Sequence, residues 1–114
     1  MAVEVELRAD GRRIRGLPDP SGGSFTAAGD FDRFINEDYP GHPADLVLPV
    51  LGTVDTYGVT GMGSELMSGL LGDIATVLPL AKAGSSEMRG LLRLRVMAEW
   101  CASRPSASLI WTGD

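Results

Sequence analysis

Ser64-Glu65-Leu66-Met67-Ser68-Gly69-Leu70-Leu71-Gly72-Asp73-Ile74-Ala75-Thr76-Val77-Leu78-Pro79-Leu80-Ala81 is where the chain changes its hydrophobic period, and that change decides the fold class. Leu66, Met67, Leu70, Leu71, Ile74, Val77, Leu78 and Ala81 fall within roughly 140° of a wheel drawn at 100° per residue. Ser68, Gly72, Asp73 and Thr76 lie opposite. The spacing predicts an amphipathic helix, with Ser64 as N-cap and Glu65 complementing the helix dipole. Pro79 should end or kink it, because proline lacks the amide donor and its ring clashes with the turn before it. Gly69 and Gly72 each weaken it by about 1 kcal/mol relative to Ala if exposed. Packing, not propensity, must hold such a helix.

Further along, Gly84 is a plausible C′ residue, and Ser85 or Ser86 can cap a second helix with Glu87 in its first turn. That helix should run to about Ser103, before Pro105. It has two apolar faces. Leu91, Leu94, Ala98 and Cys101 make one; Met88, Leu92, Val96 and Trp100 make the other. A central helix packed on both sides gives this pattern. A second explanation is a partner surface, with Val96 and Trp100 flanked by Arg89 and Arg93, since Trp and Arg are enriched at binding hot spots. A self-complementary second face would instead make a homodimer. Ser108 to Thr112 reads as a last short strand.

Toward the N-terminus the period is two. Val3, Val5 and Leu7 alternate with Glu4, Glu6 and Arg8, which predicts a strand with one apolar face. Asp10-Gly11 is a hairpin turn signal, and Arg12 to Leu17 would return, stopped by Pro18. Asp19 to Ser24 has loop composition. Phe25 to Ala28 could form a short strand, and Asp30 could cap one or two helical turns over Asp30 to Asp38. Leu46 to Leu51 reads as a buried strand at an edge or bulge, because of Pro49. The prediction is a single α+β domain over residues 1–114: a small, mainly antiparallel sheet with two helices packed on one face, in the order β-β-(short α)-β-α-α-β.

Charge is concentrated. The net charge is -5, with 15 acidic and 10 basic residues. Residues 1–18 hold a net +1 and residues 59–114 a net 0, whereas residues 19–58 set Arg33 against seven acids. So acidic a chain is a poor nucleic-acid binder, because the phosphate backbone rewards dense Lys and Arg. The start of the chain has no basic and apolar leader, and the longest apolar run is too short to span a membrane. Cys101 is the single cysteine, which rules out an internal disulfide. A cytoplasmic protein is expected.

Little points to catalysis. His42 is the single histidine, between Gly41 and Pro43, and no spacing brings it to Cys101. Asp30, Asp32, Glu37, Asp38, His42 and Asp45 form an oxygen-rich set, but it matches neither a calcium loop nor a zinc motif, so no metal is expected. Asp55-Thr56-Tyr57-Gly58-Val59-Thr60-Gly61-Met62-Gly63-Ser64 joins a predicted strand to a predicted helix. A glycine-rich loop there could cradle phosphate on backbone N–H groups, with Asp55, Tyr57, Gly58, Gly61, Gly63 and Ser64 as ligand residues. The P-loop lysine is missing and there is no dinucleotide fingerprint, so no cofactor is expected.

Val54-Asp55-Thr56-Tyr57-Gly58, the helical pair and the ending Trp111-Thr112-Gly113-Asp114 resemble a group of small actinobacterial proteins. Those carry a Val-Asp-Pro-Tyr-Gly-Asp-like stretch, two helices and a terminal Gly-Asp. The likeness covers roughly the last 65 residues, and this chain departs from it at Thr56 and Val59. It implies an architecture and a source, and no activity. The leading expectation is a non-enzymatic interaction module, such as an immunity or inhibitor protein. Asp30, Asp32, Glu37 and Asp38 would steer a basic partner, and Arg89, Arg93, Val96 and Trp100 would contact it. The competing expectation is a small-molecule binder or enzyme using the 58–63 loop.

Overall fold

The structure is a computed structural model and describes residues 2–113. Alternating apolar residues build its sheet. Strand β1 (Glu4–Ala9) turns back into β2 (Arg12–Arg13) through Asp10 and Gly11, whose φ angles are 53° and 76°. Two successive positive φ values match the right-handed twist of the flanking strands, and the Asp-Gly pair supplies them cheaply. The final strand β7 (Ala107–Thr112) lies antiparallel against all of β1, with Glu4 opposite Thr112 and Ala9 opposite Ala107. Strand β6 (Val59–Gly63) pairs with the far side of β7 and forms one edge of the sheet. At the other edge, β2 and the short β5 (Ala27–Ala28) share β1. A separate two-stranded piece joins β3 (Leu17–Pro18) to β4 (Ser24–Phe25). All pairings are antiparallel, and the fold is α+β.

The register gives the sheet two unlike faces. Val5, Trp111, Leu7, Leu109 and Met62 are buried on one face. On the other, Glu4, Arg8, Thr112 and Val59 are exposed. Arg8 and Arg13 stand directly opposite each other there, a like-charge pair that would repel. Glu6 sits between them, 2.7 Å from the Arg8 guanidinium and 2.9 Å from Arg13 Nε.

The helices stay on the apolar side. After one turn, α1 (Asp32–Ile35), come α2 (Met67–Val77) and α3 (Ser86–Ala102). Helix α3 packs on the sheet, and α2 packs on α3. The Ser85 hydroxyl accepts from Met88 N at 3.1 Å, so the expected N-cap forms. Gly90 lets α3 approach the chain before α1: a Cβ there would run into the Gly29 carbonyl. Leu91, Leu94, Met97, Ala98 and Cys101 from α3 join Met67, Leu70, Ile74 and Val77 from α2 in one core with the sheet. Phe31 and Trp111 meet edge to face within it, their ring centroids 5.9 Å apart. Helix α2 stops at Val77, and Leu78–Leu80 tightens into a 3-10 turn around Pro79.

Six local expectations are corrected. Arg12 to Leu17 does not return as one strand: β2 ends at Arg13, and Leu17 and Pro18 form β3 against β4, so Pro18 lies in a strand of the second sheet instead of stopping the first. Leu46–Leu51 is not a strand. It runs through turns into a 3-10 turn, Leu51–Thr53. The reason lies in α2, where Asp73 is buried rather than solvent-facing: its Oδ2 accepts from both Val50 N and Leu51 N at 2.8 Å. Those two amides are thereby satisfied without a neighbouring strand. The glycine-rich stretch is not a loop either, because Val59–Gly63 is drawn into the ladder by β7. Ser64 does not cap α2. It opens a 3-10 turn, Ser64–Leu66, straight after the strand, and no side chain caps either helical start. Phe25–Ala28 splits into β4 and β5, which belong to different sheets. Asp30 does not cap α1, since its φ of 68° turns the chain before the helix begins.

Candidate functional site

The acidic segment sorts into carboxylates that hold the fold and carboxylates that face solvent. Asp19 belongs to the first group. Its Oδ1 accepts from Ser21 N at 3.0 Å and Ser21 Oγ at 2.9 Å, and its Oδ2 lies 2.7 Å from the Arg93 guanidinium. The Ser21 backbone N–H first, and then Ser21 Oγ and Arg93 against the opposing effect of burial, hold its carboxyl below the usual range. Asp32 is also structural. It is buried, and its Oδ2 accepts from Val3 N at 3.1 Å, tying α1 to the start of β1. Burial pushes its carboxyl up despite that bond. Asp32 therefore leaves the set of surface carboxylates expected to steer a partner. Asp55 caps its own turn, accepting from Tyr57 N at 2.9 Å.

Asp30, Glu37, Asp38 and Asp45 form the second group. All four are exposed, and their carboxylates take no hydrogen bond or ion pair among the described residues. The cations near them are engaged. Arg33 grips Glu87 with Nε and Nη2, at 3.1 and 2.7 Å, and also donates to the Leu80 carbonyl at 3.0 Å. These four carboxylates therefore keep their negative charge.

Beside Glu37 is an open pocket of about 330 Å³. Phe34 and Ile35 of α1 and Leu48 and Pro49 of the following loop line it, with Glu37, His42 and Thr53 as its polar members. His42 Nδ1 lies 2.7 Å from the Arg33 carbonyl oxygen. A carbonyl only accepts, so Nδ1 carries the proton, and in the neutral ring Nε2 is left as the acceptor. The pocket thus pairs apolar walls with the polar side chains of Glu37, His42 and Thr53. Sequence reasoning missed it because it depends on the 46–53 loop, which the apolar run had disguised as a strand.

The α3 surface is mixed. Arg89 donates to the Gly84 carbonyl at 3.1 Å, at the helix start. Arg93 is tied to Asp19 and lies 5.7 Å from the Phe25 ring centroid, so it pins the β3–β4 piece to α3. Val96 and Trp100 are half-buried against the core. Trp100 is covered by the Arg104 guanidinium, 3.8 Å from its ring, and Arg104 also donates to the Trp100 carbonyl at 2.8 Å. Trp100 is neither a free anchor nor a core residue.

Of Asp55, Tyr57, Gly58, Gly61, Gly63 and Ser64, the structure places Gly61 and Gly63 in β6, Ser64 in the 3-10 turn after it, and the other three in the turn before it. In a strand, successive backbone N–H groups point to opposite edges, whereas a phosphate cradle needs them aimed at one point. Gly58 meets the chain end instead. Gly113 N donates to its carbonyl at 2.7 Å, and a Cβ at Gly113 would collide with the Thr56 carbonyl. The Asp55–Gly58 and Thr112–Gly113 segments thus clasp each other, while Asp114 lies outside the described residues. Cys101 is buried in α3, and burial pushes its thiol up, away from nucleophilic chemistry. Among the described residues no group of three or more His, Cys, Asp or Glu could hold a metal ion, and no helix is long and apolar enough to cross a membrane. No family model matches the chain, and no match is found among curated proteins or solved structures.

Proposed function

We propose that the protein is a non-enzymatic interaction module that binds a basic partner protein through the face carrying Asp30, Glu37, Asp38 and Asp45. An immunity or inhibitor protein of the cytoplasm is the most concrete form of this reading. The observation that supports it is the division of the acidic segment: the fold uses Asp19, Asp32 and Asp55, while these four carboxylates stay exposed and unpaired among the described residues. A one-signed surface of this kind raises the encounter rate with an oppositely charged protein more than it raises final affinity. The clasp between Asp55–Gly58 and Gly113 gives the stretches shared with the small actinobacterial proteins a common structural role, and kinship with them forms part of the same proposal.

The test is capture of a partner from the native host, followed by association kinetics against salt. The triple variant Asp30→Asn, Glu37→Gln, Asp38→Asn should slow association about tenfold or more at low ionic strength and little at 1 M salt, where the Debye length falls to about 3 Å. Equal rates for variant and parent would remove the reading. Co-purification of a metabolite with no protein would favour a ligand binder instead.

A further inference from the structure

We infer that the pocket beside α1 is the receptor for a single arginine side chain projected by the basic partner. This rests on the interaction reading above and names the chemistry of its contact point. Three observations lead to it. The first is size. At about 330 Å³ the pocket lies at the bottom of the roughly 300–1,000 Å³ range of ligand sites, so it fits one extended side chain better than a cofactor. The second is the arrangement of its walls. Phe34, Ile35, Leu48 and Pro49 offer an apolar floor for an aliphatic stem, and the exposed Val47 (77%) extends that floor to the rim. Glu37 and His42 supply acceptors and no obligatory cation. The third is charge. Residues 34–53, which supply every wall of the pocket, contain Glu37, Asp38 and Asp45 and no Lys or Arg, and the neighbouring Arg33 guanidinium, 4.5 Å from the Phe34 ring centroid, is held by Glu87.

These features select a cation with an apolar stem. An acidic side chain would meet the Glu37 carboxylate with no Lys or Arg in the lining to offset it. A purely aliphatic one would leave the Glu37 carboxylate and the His42 acceptor facing it without donors. Between the two basic residues, arginine matches better. Its planar fork carries five donors, so one guanidinium can donate to more than one acceptor of the lining, whereas an ammonium is a compact and strongly hydrated point charge. In the neutral ring the Arg33 carbonyl selects the tautomer that leaves Nε2 unprotonated.

The test uses the intact protein and three acetylated, amidated pentapeptides, Gly-Ser-X-Ser-Gly, with X as arginine, norleucine or glutamate. Each is titrated to millimolar concentration while backbone, methyl and imidazole signals are followed by NMR. The arginine peptide should shift Val47, Leu48 and His42 signals together and saturate. The norleucine peptide should bind at least about fivefold more weakly, and the glutamate peptide not at all. The Glu37→Gln protein should weaken the arginine peptide by at least about fivefold, in keeping with a lost charge-assisted hydrogen bond. Glu37 is exposed, so this variant keeps the fold, and its amide spectrum checks that. Norleucine binding as well as arginine, shifts confined to other surfaces, or indifference to Glu37→Gln would each overturn the inference. If the peptides fail here while the triple variant still slows a captured partner, the pocket inference falls and the interaction reading stands. If the captured partner ignores the carboxylates, the interaction reading itself falls.

Discussion

Asp19 and Asp32 respond to acid in opposite senses. Asp19 titrates below its ordinary 3.8 because the Ser21 N–H first, and then Ser21 Oγ and Arg93, favour the charged form against burial. Its contribution is present above that ordinary value and is lost as pH falls through the lowered one. Asp32 titrates above 3.8 because burial disfavours its charge. The folded protein then takes up the proton more readily than the unfolded chain, so this residue's contribution rises on acidification, and at neutral pH its ionised form costs stability. Asp19→Asn should lower stability at pH 7 and flatten the acid side of the profile. Asp32→Asn keeps an acceptor for Val3 N and should leave neutral-pH stability unchanged or higher. Urea melts from pH 3 to 7 check both signs. Asp73→Ala leaves the Val50 and Leu51 amides without their acceptor, and should cost about 2–4 kcal/mol in the same melts.

At the scale of elements, two helical glycines make opposite predictions. Gly72 in α2 is exposed, and a Cβ there meets nothing within 4 Å. Gly72→Ala should therefore stabilise by about 0.5–1 kcal/mol through helix propensity. Gly90 in α3 abuts the Gly29 carbonyl, so Gly90→Ala must push the helix off and should cost about 1–3 kcal/mol or more. Thermal melts of the pair separate propensity from packing. The same contrast explains what could be read from the chain. The first hairpin and α3 were legible because their signals are local: Asp10-Gly11 sets the turn, and Ser85 and Pro105 bracket the helix. Leu46–Leu51 was not, because an apolar run without period takes its form from Asp73, more than twenty residues on. Gly58–Gly63 reads as a loop by composition and becomes a strand because β7, some fifty residues later, pairs with it. The acidic segment was visible in the sequence. Its division into buried, capping and surface carboxylates was not, since that depends on where Val3 N, Ser21 N and Arg93 end up.

For the whole molecule, surface and interior are separable. The four exposed carboxylates take part in no interaction that holds the sheet or helices, so the triple Asp30, Glu37 and Asp38 variant should keep its melting temperature within a few degrees while its association slows. Calorimetry on the same sample as the kinetics checks this. The core offers no such freedom. Leu94→Ala, between sheet and α2, should cost roughly 2–5 kcal/mol, a large part of the 5–15 kcal/mol that holds a typical domain.

The central ladder has a further consequence, in time rather than space. The innermost strands of the sheet are its first and its last: Val5 faces Trp111, and Leu7 faces Leu109. No earlier segment can take the place of β7, which carries β1 on one side and β6 on the other. A chain emerging from the ribosome must therefore carry its apolar β1 and α3 surfaces uncovered until β7 has been made. Closing so long a loop is entropically costly and slows folding. A fragment ending at residue 106 should show no cooperative melt by circular dichroism, whereas residues 1–114 should melt in one cooperative step.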